Sequence, residues 1–344
     1  MHHYSTSTCA QLPDGHKLRA RQLWAVDIPQ RGFKCELVLN AILAIAAQHL
    51  WALTPNEPSL AVASRSYFDK AIRLHRMELA QPDQSTAESL LAAAILLTHH
   101  TWVASHSIAP DEQYVLPLQT YHMARGIQSL FDQMFPWLKG SGYLWYAEQQ
   151  TLVDVSDEVC GNEFLESGRK DLDLLSEAFE QSGAKEEDKA LYRATVSELA
   201  SMHFSISSGV PQHWIQRRVA TMPLRLPPRF LELLESHDPI ALALLLRNLA
   251  LLEVIDPVWW LHGTGDHQVA KYSVRGIEEL ISTDWRWAIE WPRKVIEGVQ
   301  FSNDSLGIPR VRSEYLRFSQ RTGEPASPIG NSGSSARFPK SLIF

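Results

Sequence analysis

Apolar positions in the first third of the chain recur at three- and four-residue steps, the spacing of one face of an α-helix. From Cys35 to Leu53 the recurring set is Val38, Ile42, Ile45, Ala46, His49 and Leu53. Thr54-Pro55-Asn56-Glu57-Pro58 breaks it, because proline lacks a backbone N–H and biases its predecessor away from helix. A second helix is predicted from Ser59 to about Leu79, on a stripe of Ala63, Tyr67, Ala71 and Leu74. Ser85-Thr86-Ala87-Glu88 has the form of a capping box and opens a third, carrying Leu90, Leu91, Ala94, Leu97 and Thr101. Short breaks make these helices antiparallel neighbours in one layer.

A proline-marked loop from Ile108 to Pro117 precedes another helix ending near Phe131, and Pro136-Trp137-Leu138-Lys139-Gly140 closes that section. The stretch from Asp154 to Gly168 reads as irregular and acidic. Helices resume at Asp171 to Gln181 and Glu186 to Ser208, and Pro223, Pro227 and Pro228 mark a hinge. Asp238-Pro239 is a helix start, an acidic N-cap followed by proline at the first helical position. The helix it opens is the most apolar in the chain and stops at Asp256-Pro257. Val258-Trp259-Trp260-Leu261 then leads into His262-Gly263-Thr264-Gly265, and two last helices are predicted at about 266–281 and 283–297. Sustained β-type alternation and a fixed repeat period are both missing. The expectation is an all-α, irregular multi-helix bundle of antiparallel helices over residues 1–300. Residues 301–344, rich in Ser, Gly, Pro and Arg, read as a flexible, disordered tail.

Composition narrows the function. A chain of 344 residues with 45% hydrophobic content can bury a large core, and its formal net charge of −7 argues against a polyanion as partner of the body. Three scattered cysteines, Cys9, Cys35 and Cys160, offer neither a disulfide framework nor a Cys-x-x-Cys metal site, and free thiols suit a reducing compartment. The N-terminus lacks an apolar signal core, and the longest unbroken apolar run, Leu90 to Leu97, is too short for a bilayer, so no membrane insertion is expected.

A search for chemistry returns little. His99-His100 and His106 are close together, but no His-Glu-x-x-His pattern places two ligands and a base on one face, and buried or helix-end histidines are the expectation. Gly263-Thr264-Gly265-Asp266-His267-Gln268 starts like a dinucleotide loop, yet Gln268 stands at the third glycine position and a helix precedes it. Neither a Gly-x-Ser-x-Gly elbow nor a Walker loop occurs, so no catalytic residue and no metal site is assigned and the chain is read as not an enzyme. Tryptophans at 259, 260, 285, 287 and 291 crowd the last folded section, as packing anchors or as the lining of a ligand cavity.

Several segments together resemble one family. Met1-His2-His3-Tyr4-Ser5-Thr6-Ser7-Thr8, followed by Leu23-Trp24 and Ile28-Pro29-Gln30, is similar to the opening of the C-terminal regulatory domain of fungal zinc-cluster (Zn2Cys6) transcription factors, sterol uptake control type. Leu39 to Leu50 resembles that family's most recognisable helix. Asp238-Pro239-Ile240-Ala241-Leu242, Trp259-Trp260-Leu261-His262-Gly263 and Trp287 with Glu290-Trp291-Pro292 resemble its late helices and loop. The resemblance implies an all-helical nuclear regulator, shuttling with the cytoplasm in some members, that forms a homodimer and responds to a lipophilic, sterol-like molecule. It points to Leu242, Leu245, Leu249, Leu252, Trp259, Trp260, Gly263 and Gly265 as the ligand-binding residues. It also implies that zinc and DNA contact belong to an upstream six-cysteine module absent from this chain, so no cofactor is expected here. A protein-interaction scaffold without ligand and a lipid or secondary-metabolite pathway enzyme are the alternatives.

Overall fold

The computed structural model describes residues 1–15, 17–106, 113–143, 162–263 and 268–298, and among these every regular element is a helix. The expected all-α class is what the chain adopts. The tail expectation, from residue 301 onward, lies outside the described residues.

Four helices build the first layer: α1 (Glu36–Leu53), α2 (Pro58–Leu79), α3 (Ala87–Ser105) and α4 (Leu118–Met134). The most extensive packing in the molecule is α1 against α2, followed by α1 against α3. Nearly every residue of α3 is buried, so this helix is apolar all round and lies inside, with α1, α2 and α4 about it. Its start differs from the expected capping box. The Asp83 carboxylate, not Ser85 or Glu88, accepts the N–H groups of Ser85 and Thr86 at 2.7 and 3.0 Å, and Glu88 pairs with Arg31 instead. The buried stripe of α2 keeps Ala71 and Leu74 of the expected one but takes Ser64 and Phe68 in place of Ala63 and Tyr67. Ser64 and Ala71 are buried with Phe68 half-buried between them, while Tyr67 faces outward. On α1 the expected face holds except at Leu53, which is 58% exposed.

The second layer comprises α5 (Glu163–Gln181), α6 (Glu186–Ser207), α7 (Gln212–Arg225), α8 (Pro228–Glu235), α9 (Pro239–Ala250), a short α10 (Trp259–His262), α11 (Val269–Leu280) and α12 (Glu290–Ile296). Asp238 caps α9 as expected, accepting from the N–H groups of Ile240 and Ala241 at 3.1 and 2.8 Å. Every residue from Ile240 to Ala250 is buried, and α6, α11 and α12 pack round this helix. Residues 163–168, read as irregular, form the first turns of α5, because Asn162 caps them by accepting from Leu165 N–H at 2.8 Å. The expected proline hinge is largely helical: Pro223 lies inside α7 and Pro228 opens α8. Residues 283–289 wind as a 3-10 turn before α12.

The N-terminal residues also fold into short helical turns: Tyr4–Thr8, Cys9–Gln11, Leu18–Gln22, Leu23–Asp27 and Ile28–Gly32. Tyr4 and Trp24 there are fully buried, and Trp24 Nε1 donates to the Pro13 carbonyl at 3.0 Å. The first and fifth of these turns pack on α1. Among the described residues α1 alone is long and apolar enough to cross a membrane by length and composition, and it carries buried Asn40, Gln48 and His49. A single core cluster runs through both layers, from Tyr4 to Ile296.

One charge is sealed inside this core. Arg247, at 0% exposure, donates from Nε and Nη2 to the Asp171 carboxylate at 2.6 and 2.7 Å. Its Nη1 donates to the carbonyls of Ala243 and Ala288, both at 3.0 Å. The guanidinium therefore ties α5, α9 and the 283–289 turn together. An unpaired buried charge costs several kcal/mol, while an apolar replacement of both partners is tolerated. Asp171→Asn is expected to lose about 3–5 kcal/mol in urea denaturation, and the Asp171→Leu/Arg247→Met pair to lose less. A single variant that unfolds with the parent chain would contradict this clamp.

Candidate functional site

The residues singled out by sequence do not all face one place. Leu242, Leu245, Leu249 and Leu252 are buried to 2% exposure or less, as part of the core round α9. Trp259 and Trp260, each 8% exposed, stand on α10, which packs on α1, α3 and α11. Gly263 ends α10 with φ 78°, a backbone conformation that side-chain-bearing residues rarely adopt. Gly265 lies outside the described residues. The other late tryptophans are elsewhere: Trp291 packs on Phe164 and His203, while Trp285 and Trp287 stack on each other near the surface.

What α10 does meet is a seam of histidines. His49 of α1 stacks on Trp259 at 4.5 Å between ring centroids, with His3 beyond it at 5.0 Å. Thr8 Oγ1 and His49 Nδ1 are hydrogen-bonded at 2.9 Å. His99 of α3 meets the Trp260 ring edge-on at 4.8 Å. Trp260 Nε1 donates to the Gln11 carbonyl at 2.8 Å, and Trp102 Nε1 donates to the Leu261 carbonyl at 3.3 Å. His106 packs on Trp102 and donates from Nδ1 to its carbonyl at 2.8 Å. The N-terminal segment, α1, α3 and α10 are thereby locked together by polar contacts inside an apolar setting. The expectation of buried histidines at 99, 100 and 106 holds.

His100 looks the other way, toward α2. A pocket of about 410 Å3 opens there, with Gln48, Trp51, Ser64, Phe68, His100 and Gln119 among its lining residues. Arg65 and Asp69, one turn apart on α2, also line it and are exposed. His100 stacks on Phe68 at 4.3 Å, and its Nε2 lies 2.8 Å from Ser64 Oγ. Such a serine–histidine contact invites a nucleophilic reading. The Ser64 hydroxyl, however, lies 2.9 Å from the Ala44 carbonyl, which can only accept. Ser64 therefore donates to Ala44 and accepts from His100 Nε2–H, the reverse of a base drawing a proton from its nucleophile. Nothing in the sequence reading marked this pocket. The signal that could have done so is the run of polar residues, Gln48, Ser64 and His100, on otherwise apolar helical faces.

Among the described residues no group of three or more His, Cys, Asp or Glu side chains is placed to hold a metal ion. Cys9 and Cys35 are free thiols, and Cys160 lies outside the described residues.

Residues 1–112 match the family described as "Fungal specific transcription factor domain". Over 325 residues, 89% of this chain, it is 24% identical to a "Zn(2)-C6 fungal-type transcription factor" of Gibberella zeae. Over 252 residues, 70% of the chain, it is 24% identical to the "Zn(2)-C6 fungal-type transcription factor afumD" of Aspergillus fumigatus. The chain spans 63% of the length of each of these relatives.

Two outcomes follow from the seam. Burial holds the histidines neutral, pushing His49 and His106 of the seam down to about 3 and about 4, and His100, on the other side of α3, to about 3. Below pH 6.5 the unfolded chain takes up protons that the fold refuses, so stability falls as pH falls, until each folded pKa is reached. Between pH 6.5 and 5 each of these three groups costs the fold about 2 kcal/mol. The urea midpoint is therefore expected to drop between pH 7.5 and 5.0, and a flat midpoint over that range would refute the neutral seam. Trp260→Ala is expected to cost about 3–5 kcal/mol, read from thermal or urea unfolding, and an unchanged melting temperature would contradict its packing role.

Proposed function

We propose, from the fungal specific transcription factor domain matched over residues 1–112, that this chain is the regulatory domain of a fungal zinc-cluster-type transcription factor acting in the nucleus. The observation that carries the proposal is that match, extended along most of the chain by two relatives named as transcription factors. In this reading DNA is read by a zinc cluster elsewhere in such a protein, and the helical body supplies control. The net charge of −7 supports a role other than gripping DNA directly.

The geometry suggests how control would be exerted. Trp259 and Trp260 on α10 hold the N-terminal segment through His49, Thr8 and Gln11. A change at α10 or at the glycine turn after it would loosen or tighten that segment, shifting a two-state population. The same reading takes a lipophilic, sterol-like molecule as the effector, with Leu242, Leu245, Leu249 and Leu252 of the core round α9 and Trp259 and Trp260 of α10 as the residues that respond to it. Pairing of two copies, as the family resemblance implies, belongs to the same proposal.

The test is a reporter assay with the full chain fused to a heterologous DNA-binding module in a fungal host. The fusion is expected to change reporter transcription relative to the module alone. Trp260→Phe keeps an aromatic ring, though a smaller one, but removes the N–H donated to Gln11, and is expected to change the output severalfold at equal protein level. If nuclear fusion protein leaves transcription at the level of the module alone, the proposal fails.

A further inference from the structure

The wall of the pocket between α1, α2 and α3 carries two opposite charges that the fold itself does not use. Arg65 and Asp69 stand four residues apart on α2, hence on one face of that helix, and both line the pocket from exposed positions that a guest can reach. Neither forms a hydrogen bond or an ion pair among the described residues, with each other or with a third group. The Arg65 charge is felt inside the pocket: after burial, it is the second cause that holds the His100 ring neutral. Among the described lining residues no other side chain carries a formal charge. One cation beside one anion selects by charge pattern. A guest with a carboxylate alone is drawn to Arg65 and opposed by Asp69, and a guest with an ammonium alone meets the reverse. A molecule bearing both charges close together finds a partner for each, through charge-assisted hydrogen bonds.

Spacing and shape narrow the guest further. Side chains four apart on a helix leave their Cβ atoms about 5–6 Å from one another, so Arg65 and Asp69 can close on two charged groups attached to a single carbon. Trp51 and Phe68 are half-buried; Phe68 gives one face to His100, and the part of each ring left open is flat apolar surface. At about 410 Å3 the space falls within the range of small-molecule sites. We propose that this pocket binds a zwitterionic aromatic amino acid, its carboxylate on Arg65, its ammonium on Asp69 and its ring against Trp51 and Phe68. The site is separate from the α10 seam, so it can fail while the regulatory reading stands, and the reverse also holds.

L-Phenylalanine serves as the probe, with phenethylamine, which lacks the carboxylate, and 3-phenylpropanoate, which lacks the ammonium, as its controls. Isothermal titration of the full chain at millimolar ligand and low salt is expected to show phenylalanine binding about threefold or more tighter than either control, the modest gap that exposed ion pairs give. The gap should close at about 1 M salt, where the screening length falls to about 3 Å. Each charge is then removed in turn from its exposed position, with the fold checked by circular dichroism. Arg65→Gln is expected to abolish the preference over phenethylamine, and Asp69→Asn the preference over 3-phenylpropanoate. Ala104 also lines the pocket from an exposed position, and Ala104→Trp, which fills the space, is expected to weaken phenylalanine binding by about tenfold or more. Absence of phenylalanine binding, equal binding of either control, preferences that survive both charge removals, or undiminished binding to the folded Ala104→Trp variant would each overturn the proposal.

Discussion

The guanidinium of Arg247 is the constraint round which the second layer is arranged. A charge within an eleven-residue buried stretch can exist only where each guanidinium nitrogen has an acceptor at hand. Asp171 supplies two from α5, the preceding turn of α9 supplies one, and Ala288 supplies another. Leucines can pack in many ways at similar energy, but a bidentate ion pair accepts few arrangements. The spacing and rotation of α5 against α9 are thereby set by directional bonds, with apolar packing filling the rest. Asn248, the next residue, extends the same logic to α7 by donating to the Val219 carbonyl at 2.9 Å.

The first layer uses histidine in the same way. His49, His99 and His100 sit on the two most buried helices of that layer and His106 follows the end of α3, each in contact with an element that sequence distance would not bring near. Aromatic stacking supplies area, and the ring nitrogens supply direction. His99 and His100, adjacent in sequence, point to opposite neighbours: the former to α10, the latter to α2. The same helix thus serves the regulatory seam on one side and the polar pocket on the other.

How much of this was legible in the sequence depends on which force set each feature. The long helices were readable because their apolar period and proline breaks are local properties, and the Asp238-Pro239 start was readable as a cap. The N-terminal turns were not, because Met1 to Thr8 is polar and its order comes from burial of Tyr4 and from the bond of Thr8 to His49, while Gln11 just beyond is held by Trp260. Helices α7 and α8 were masked by prolines, since Pro223 is accommodated inside a helix that ends two residues later. The late tryptophans form a cluster in sequence only: Trp259 and Trp260 belong to one site, Trp291 to another, and Trp287, at 37% exposure, to neither. The pocket escaped notice because its chemistry is a tertiary property. Gln48, Ser64 and His100 become a set only when three helices converge.

The bond from Trp260 to Gln11 has a temporal side. Its two partners stand 249 positions apart, with most of the described helices between them. At typical translation speeds of about 5–20 residues per second, the first turns emerge roughly 10–50 s before the ring that completes their burial exists. Until then the Gln11 carbonyl lacks its donor and His49 lacks the ring it stacks on, and a newborn chain presents these groups to whatever is near the ribosome. Maturation of this segment therefore waits on Trp260, and holding factors that shield greasy surface have most to do during that interval.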